Sequence, residues 1–334
     1  MPRIIGRLTS IGLAKEASRG TSVTPAYWIP VRGLTFDDNQ TMQDNESGFG
    51  TIDAIQDSAM LQRWSEGDFA GKVYDQSEGL VLSGVFGQAP VSTQRASTGT
   101  YDHVFSMLNS NQHRSLTATI KEGNNDLRYA NAVIDSYVLE ATLDDYIHRT
   151  LGLKAKTGAA ASDTIAYTNE NEFLPKHVIA KLFAPAASVG AHDTAATGAA
   201  AVKVRSFSIN IQKNTDPVFV LGSNDVDDVL NKQLAISGTI ELYYDSLTYR
   251  NLWSAVTHQG MRLDIVNTDV TIGGSNNPAI RFDLYEVVFT NWSRSYANND
   301  VMTQTLEFRA ILNVAAAATI GARLTNQYIG TNYV

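Results

Sequence analysis

Alternation dominates the chain. Phe207, Ile209 and Ile211 alternate with Ser206, Ser208 and Asn210, and Leu234, Ile236, Ile240 and Leu242 fall at even spacing around Gly238. Leu306, Phe308, Ala310 and Leu312 share one face of 305–312, with Glu307, Arg309 and Ile311 on the other. A period of two is the pleat of a strand with one packed and one mostly exposed face, so these runs predict antiparallel sheets. Helical spacing is scarce. Tyr249, Leu252, Trp253 and Val256 follow Asp245 or Ser246 at i, i+3, i+4 and i+7, and Gly260 stops the run, which predicts a helix over 246–258. A weaker run from Ser77 through Leu80, Val81 and Val85 ends at Gly87, and Ile52, Ile55, Ala59 and Leu61 make 51–64 a loosely periodic helix candidate. Strand-like runs at 177–183 and 202–211 bracket an alanine-rich stretch, 184–201, whose Gly and Asp interruptions predict a long hairpin loop rather than a helix. Residues 39–50 read as a polar loop and 273–277 as a hairpin turn. Trp64, Trp253 and Trp292 are expected at sheet–helix contacts, with Trp28 nearer the surface.

The pattern also repeats. Leu127-Arg128-Tyr129, Val133-Ile134 and Thr150-Leu151-Gly152-Leu153-Lys154-Ala155 are answered by Ile280-Arg281-Phe282, Val287-Val288 and Thr305-Leu306-Glu307-Phe308-Arg309-Ala310. The endings lie 155 residues apart and the openings 153. Upstream, Phe69-Ala70-Gly71 and Leu82-Ser83-Gly84-Val85 match Ile236-Ser237-Gly238 and Trp253-Ser254-Ala255-Val256 at 167 to 171, which requires loops of unequal length. The shared order of strand, helix and strands points to a duplication, with copies at 27–156 and 177–314. Two β-rich halves that align by strand pattern alone are the alternative.

Composition narrows the chemistry. With 334 residues, 43% of them hydrophobic, the chain is long enough for two domains with cores. The absence of cysteine removes disulfides, thiolate zinc, iron–sulfur clusters and cysteine nucleophiles, and fits a reducing cytosol. No run approaches the roughly 18 apolar residues of a membrane helix, and residues 1–24 lack a secretory apolar run, so neither membrane insertion nor export by a cleaved signal is expected. An acidic excess, 34 Asp and Glu against 26 Lys and Arg, argues against binding nucleic acid through its phosphates. The six histidines show no i, i+4 pair for a metal. Asp144, Asp145 and His148 read as a turn entering a strand, with no nucleophile elbow nearby. The acidic run 224–228 lacks the Gly and Glu of a calcium loop, having Leu230 and Ile236 in those places. No catalytic residue, metal site or cofactor is expected.

The N-terminal segment supplies a family. Gly12-Leu13-Ala14-Lys15-Glu16-Ala17-Ser18-Arg19-Gly20-Thr21, leading through Thr24-Pro25 into Tyr27-Trp28-Ile29, resembles the opening of the tail tube (major tail) proteins of siphophages. Those openings commonly read G-x-A-x-E-x-x-x-G-T, then a Pro and an aromatic. The resemblance implies a β-sandwich flanked by a helix, and with the duplication it predicts a mainly β fold of two tandem tail-tube-like β-sandwich domains, each with a short flanking α-helix. It also implies a structural virion protein that polymerises into stacked rings around a conduit for double-stranded DNA. Combined with the duplication, it predicts three chains per pseudo-sixfold ring, or six if one half is decoration. The expected layout is an N-terminal arm (1–26), a first domain (27–156), a linker (157–176), a second domain (177–314) carrying the loop 184–201, and a C-terminal arm (315–334).

Lys15, Glu16 and Arg19 are then candidates for inter-ring ion pairs. Asp37, Asp38, Asp44 and Glu46 are candidates for ring-to-ring contact or for lining the lumen, a plain solvated loop being the alternative. The implied partners are further copies of the chain, with a trimer favoured over a hexamer, and tape-measure and tail-terminator proteins. DNA would pass without specific binding, no membrane is involved, and assembly would take place in the bacterial host cytoplasm. The other readings are a tail terminator, connector or capsid decoration protein, or a surface-acting enzyme or carbohydrate binder with clustered aromatics or paired carboxylates.

Overall fold

The computed structural model describes residues 5–96, 98–123 and 125–333, so the outer ends of both expected arms, 1–4 and 334, lie outside the described residues. The first half runs β1 (Thr9–Lys15), β2 (Tyr27–Ile29), β3 (Gly33–Leu34), β4 (Asp37–Asn45), β5 (Asp57–Lys72), α1 (Glu78–Phe86), β6 (Val91–Gln94), β7 (Tyr101–Ser106), β8 (Leu116–Glu122), β9 (Asn125–Thr142), β10 (His148–Ala155) and β11 (Ala159–Ala161). The second half runs β12 (Val178–Phe183), α2 (Val189–Gly198), β13 (Ala201–Val202), β14 (Val204–Gln212), β15 (Asp216–Val218), β16 (Asp228–Leu230), β17 (Ala235–Tyr243), α3 (Thr248–Ser254), β18 (Gln259–Val266), β19 (Ala279–Ser295), β20 (Thr303–Ala310) and β21 (Ile320–Asn326).

These strands build a predominantly β, sandwich-like fold. One antiparallel run passes through both halves in the order β4-β5-β10-β9-β14-β17-β20-β19, with β3 prolonging the edge that β4 begins. The long strands β9 and β19 belong to this run only through their C-terminal parts. Their N-terminal parts enter two further runs, β2-β1-β8-β9-β11 and β13-β12-β18-β19-β21-β7-β6. A large hydrophobic cluster fills the interior and includes Ile11, Leu80, Phe105, Tyr137, Phe207, Ile240, Phe282, Phe308 and Leu324, and a small one gathers Val133, Val226 and Val229. Helix α1 is buried over its whole length, as a helix apolar on every side must be, and ends at Gly87 in the left-handed region.

The ladders of the two halves coincide. Between β10 and β9, Gly152 pairs with Ser136 and Leu153 with Ile134, so Asp135 is the extra residue of a bulge. Between β20 and β19, Glu307 pairs with Asn291 and Phe308 with Phe289, and Thr290 is the extra residue. A second bulge interrupts β8–β9 between Leu116 and Ala118, and its counterpart interrupts β18–β19 between Gln259 and Met261. Gly67 stands opposite Leu153, and Gly238 stands opposite Phe308. Each glycine is there for space: a Cβ would meet the Thr35 carbonyl oxygen at 2.3 Å in one case and that of Ser208 at 2.2 Å in the other. The bulges align Tyr129 with Leu284, so the spacing of 155 seen at the strand ends holds throughout β9 and β19. This corrects the spacing of 153 inferred for the openings, a slip of two that leaves every side chain on the same face.

Other expectations need correction. The alanine-rich 184–201 holds helix α2, capped by the Ser188 hydroxyl, which accepts from the Ala191 N–H at 3.2 Å, so alanine propensity prevails over the Gly and Asp interruptions. Residues from 57 onward in the 51–64 candidate helix belong to strand β5, and most of the polar 39–50 segment is strand β4 paired to it. Both faces of β4 are exposed, so no alternation marks it. The expected arms are ordered within the sheets: β1 lies between β2 and β8, and β21 between β19 and β7. Trp28 is buried, because β2 packs its whole length into the core. Trp253 and Trp292 stack at 6.5 Å where α3 meets β19.

Candidate assembly edges

The ladder between β9 and β14 fastens the two halves into one sheet. Seven pairs run from Ser136–Gln212 to Thr142–Ser206, with Tyr137, Leu139 and Ala141 facing Ile211, Ile209 and Phe207. Beyond the Ser136–Gln212 pair, the bulge residue Asp135 holds the outgoing chain. Its carbonyl accepts from the Lys213 N–H at 2.8 Å, and its carboxylate accepts from the Thr215 N–H at 2.5 Å and the Thr215 hydroxyl at 2.6 Å.

Two buried polar sets flank this seam. The Tyr137 hydroxyl donates to Glu78 at 2.9 Å, and Glu78 pairs with Arg149 at 2.5 Å, with both charged side chains almost fully buried. Burial pushes the Glu78 carboxyl up while Arg149 and Tyr137 pull it back. The Lys213 ammonium donates to the Gly84 carbonyl at 2.9 Å and lies 3.4 Å from His113 Nδ1. Burial pushes Lys213 down to about 7, opposed by the Asp135 carboxylate and aided by Arg19. His113 is pushed down to about 4 by burial and by the charges of Lys213 and Arg19.

The long sheet also has two ends. Among the described residues, neither the outer side of β3 and β4 nor the outer side of β19 beyond Thr290 has a strand partner. Nearly every side chain of β4 is exposed, as is most of β19 from Thr290 to its end. Past β19, Tyr296 is 72% exposed. Such edges are templates for another strand, and a monomer ordinarily blunts them.

The residues singled out in the sequence separate into two groups. Glu16 is buried and accepts from the Gly20 N–H (2.7 Å), the Ser115 hydroxyl (2.6 Å), the Asn131 N–H (2.7 Å) and the Thr117 hydroxyl (3.2 Å). Arg19 pairs with Asp228 at 2.5 Å and donates to the Val229 and His113 carbonyls, clasping the loop after β1 to β16. Both partner sets lie inside the chain. Lys15 ends β1, half-buried, its pKa lowered by burial and by Arg114.

Asp37, Asp38 and Asp44 lie on the outer strand β4 and Glu46 just past it, all exposed. Asp38 accepts from the Ser65 hydroxyl at 2.5 Å and the Gly158 N–H at 3.2 Å, and Asp44 from the Ser58 hydroxyl at 2.5 Å. Sequence reasoning missed Asp135, Lys213, Glu78 and Arg149, whose partners are all distant in the chain. A cleft of about 680 Å³ is polar and open, with Asp38, Arg63, Lys156 and Asp225 among its walls. Among the described residues no three His, Asp or Glu side chains group to hold a metal ion.

Comparison with known proteins places this architecture. No curated protein matches the chain. Among solved structures it is similar to the SPP1 tail tube determined by solid-state NMR and cryo-EM, at 11% identity, covering 58% of this chain and 78% of that one with a TM-score of 0.22. The family model of the phage tail tube protein matches residues 6–310, nearly the whole chain. The chain therefore belongs to the phage tail tube protein family, and its role is that of a structural component of the phage tail.

Proposed function

We propose that three chains close into one ring of the tube, each supplying two tandem tube-like units, so that the ring has pseudo-sixfold symmetry. The observation that carries this is the recurrence of one ladder, bulge for bulge, in both halves, together with the β9–β14 seam that joins them. Each half contributes four strands to the long sheet, and three chains would supply about 24 in a closed barrel, beyond the 16 to 18 that already leave an aqueous channel in porins. At ~4.8 Å between strands, that closes a wall roughly 115 Å around before tilt is counted. A formal charge of −8 suits a wall past which double-stranded DNA slides without being held.

The hairpin between β4 and β5, carrying Asp44 and Glu46, is assigned to contact with the next ring or to the lumen. Tape-measure and terminator proteins would meet the tube at its core and end, after assembly in the host cytoplasm. Native mass spectrometry of isolated rings, with end-on averages from electron microscopy, tests the proposal. A mass of three chains with six similar lobes supports it. Six chains per ring would make one half of each chain a decoration, and single rings that never stack would favour a terminator.

A further inference from the structure

Given the tube assembly proposed above, on which this rests, we infer that neighbouring chains join by pairing the 33–38 edge of one antiparallel with the 291–297 edge of the next. The register places Leu34 opposite Tyr296, Phe36 opposite Arg294, Asp37 opposite Ser293 and Asp38 opposite Trp292. The partner is a second copy of this chain.

The register follows from the seam already present inside the molecule. Leu34 pairs with Phe69, which pairs with Leu151; Phe207 pairs with Ile240, which pairs with Leu306. Leu151 and Leu306 are equivalent, because each stands one pair before the bulge position in its own ladder, opposite Tyr137 and Trp292 respectively. Leu34 therefore occupies the place of Phe207. By the same ladder Asp37 takes the place of Asn210 and Asp38 that of Ile211, since their partners Glu66 and Ser65 match Ser237 and Ile236. On the other strand Trp292, Ser293, Arg294 and Tyr296 take the places of Tyr137, Val138, Leu139 and Ala141. The internal seam pairs Phe207 with Ala141, Ile209 with Leu139, Asn210 with Val138 and Ile211 with Tyr137. Carrying those pairs across gives the register stated.

The open edges are chemically suited to it. Both sides of the internal seam are apolar on the buried face, whereas the outer edges hold Arg294 on one side and Asp37 and Asp38 on the other. Arg294, opposite Phe36, has Leu34 and Asp38 as its diagonal neighbours on the same face, within reach of a long side chain. The exposed ring of Tyr296 would be covered by Leu34. The contact is an edge that each chain offers at opposite ends of one sheet, so it propagates head to tail, and it closes as a ring when each chain turns through one third of a circle, as the proposed trimer requires.

The chain has no cysteine, which allows a direct test. Directly opposed residues of an antiparallel pair have Cα atoms about 4.5–5.5 Å apart, within the span a disulfide bridges. The double variant Asp37→Cys/Ser293→Cys, oxidised with copper phenanthroline under assembling conditions, is expected to give a ladder of covalent multimers on a non-reducing gel. Each single variant should give none beyond a dimer. The shifted pair Gln40→Cys/Ser293→Cys, displaced by roughly 10 Å along the strand, should cross-link at least ten-fold less. Thr35→Cys/Ser295→Cys, also directly opposed, serves as the second in-register pair if the first variant does not fold.

Rings seen by electron microscopy without in-register cross-links, or with the shifted pair linking as well, would overturn the inference and leave the tube assembly standing. Folded protein that gives neither rings nor cross-links would overturn both.

Discussion

Gly238 lies beneath the carbonyl of Ser208, so close that a Cβ on it would stand 2.2 Å from that oxygen and 2.4 Å from the Phe308 ring. Neither neighbour is free to retreat, because β14 is held on its far side by β9 and Phe308 is fully buried. Gly238→Ala is expected to cost about 1–3 kcal/mol or more, read as a lowered thermal midpoint. Gly190→Ala, in α2 with open space around it, is expected to raise stability by about 0.5–1 kcal/mol. Equal effects at the two sites would mean that the strand spacing is looser than this.

The Glu78–Arg149 pair makes a different demand. Arg149→Met leaves a carboxylate in the core with only the Tyr137 hydroxyl to answer it, and a loss of about 3–5 kcal/mol is expected. Glu78→Gln added to Arg149→Met removes the charge and keeps an acceptor for Tyr137, so most of that loss should return. Chemical denaturation of both variants measures it, and a double variant no better than the single one would count against the buried charge as the cause.

Lys213 predicts a pH slope. Its pKa is near 10.5 in the unfolded chain and about 7 in the fold, so between those values the unfolded state binds more protons and stability rises with pH. His113, lowered from 6.5 to about 4, acts in the same sense between pH 4 and 6.5. Between pH 7 and 9 the Lys213 contribution is at most about 2.7 kcal/mol. Lys213→Met should flatten the thermal midpoint over that interval relative to the unaltered chain, and parallel curves would rule the assignment out.

Arg19 and Asp44 separate folding from assembly. Arg19→Ala removes three contacts to the second half and to the loop before β8, and about 1–3 kcal/mol of stability should go with them in the unassembled chain. Asp44→Ala removes one exposed hydrogen bond, and the midpoint should stay within about 0.5 kcal/mol of the original. Thermal denaturation below the assembling concentration decides both.

Much of the fold was legible where one face of a strand is packed. β14, β17 and β20 announce themselves by alternation, and α1 by its apolar run closed at Gly87. The β4–β5 hairpin was not legible, because side chains on both faces of β4 meet solvent and no alternation marks the strand. The bulges at Asp135 and Thr290 leave no compositional trace, so the repeat was legible with its register two residues out in one place. Glu16 and Arg19 show their charge in the sequence but not their partners. Ser115, Thr117 and Asn131 lie about a hundred positions away from Glu16, and Asp228 is 209 from Arg19. Strand β4 carries a recognisable acidic character without revealing that it is an edge, and the end of β19 carries none.

The β9–β14 seam also bears on how a ring of the proposed kind responds to dilution. A contact made within one polypeptide forms at an effective concentration fixed by the connecting chain, of millimolar order for a short flexible link, whatever the concentration of the protein. Half of the joints around the ring are then complete before any two chains meet. Closure needs three bodies to come together instead of six, so the translational freedom surrendered per ring falls accordingly. The population of closed rings would scale with roughly the third power of free chain concentration, and a tube built this way should begin to grow at dilutions where an unlinked six-part ring would still be in pieces.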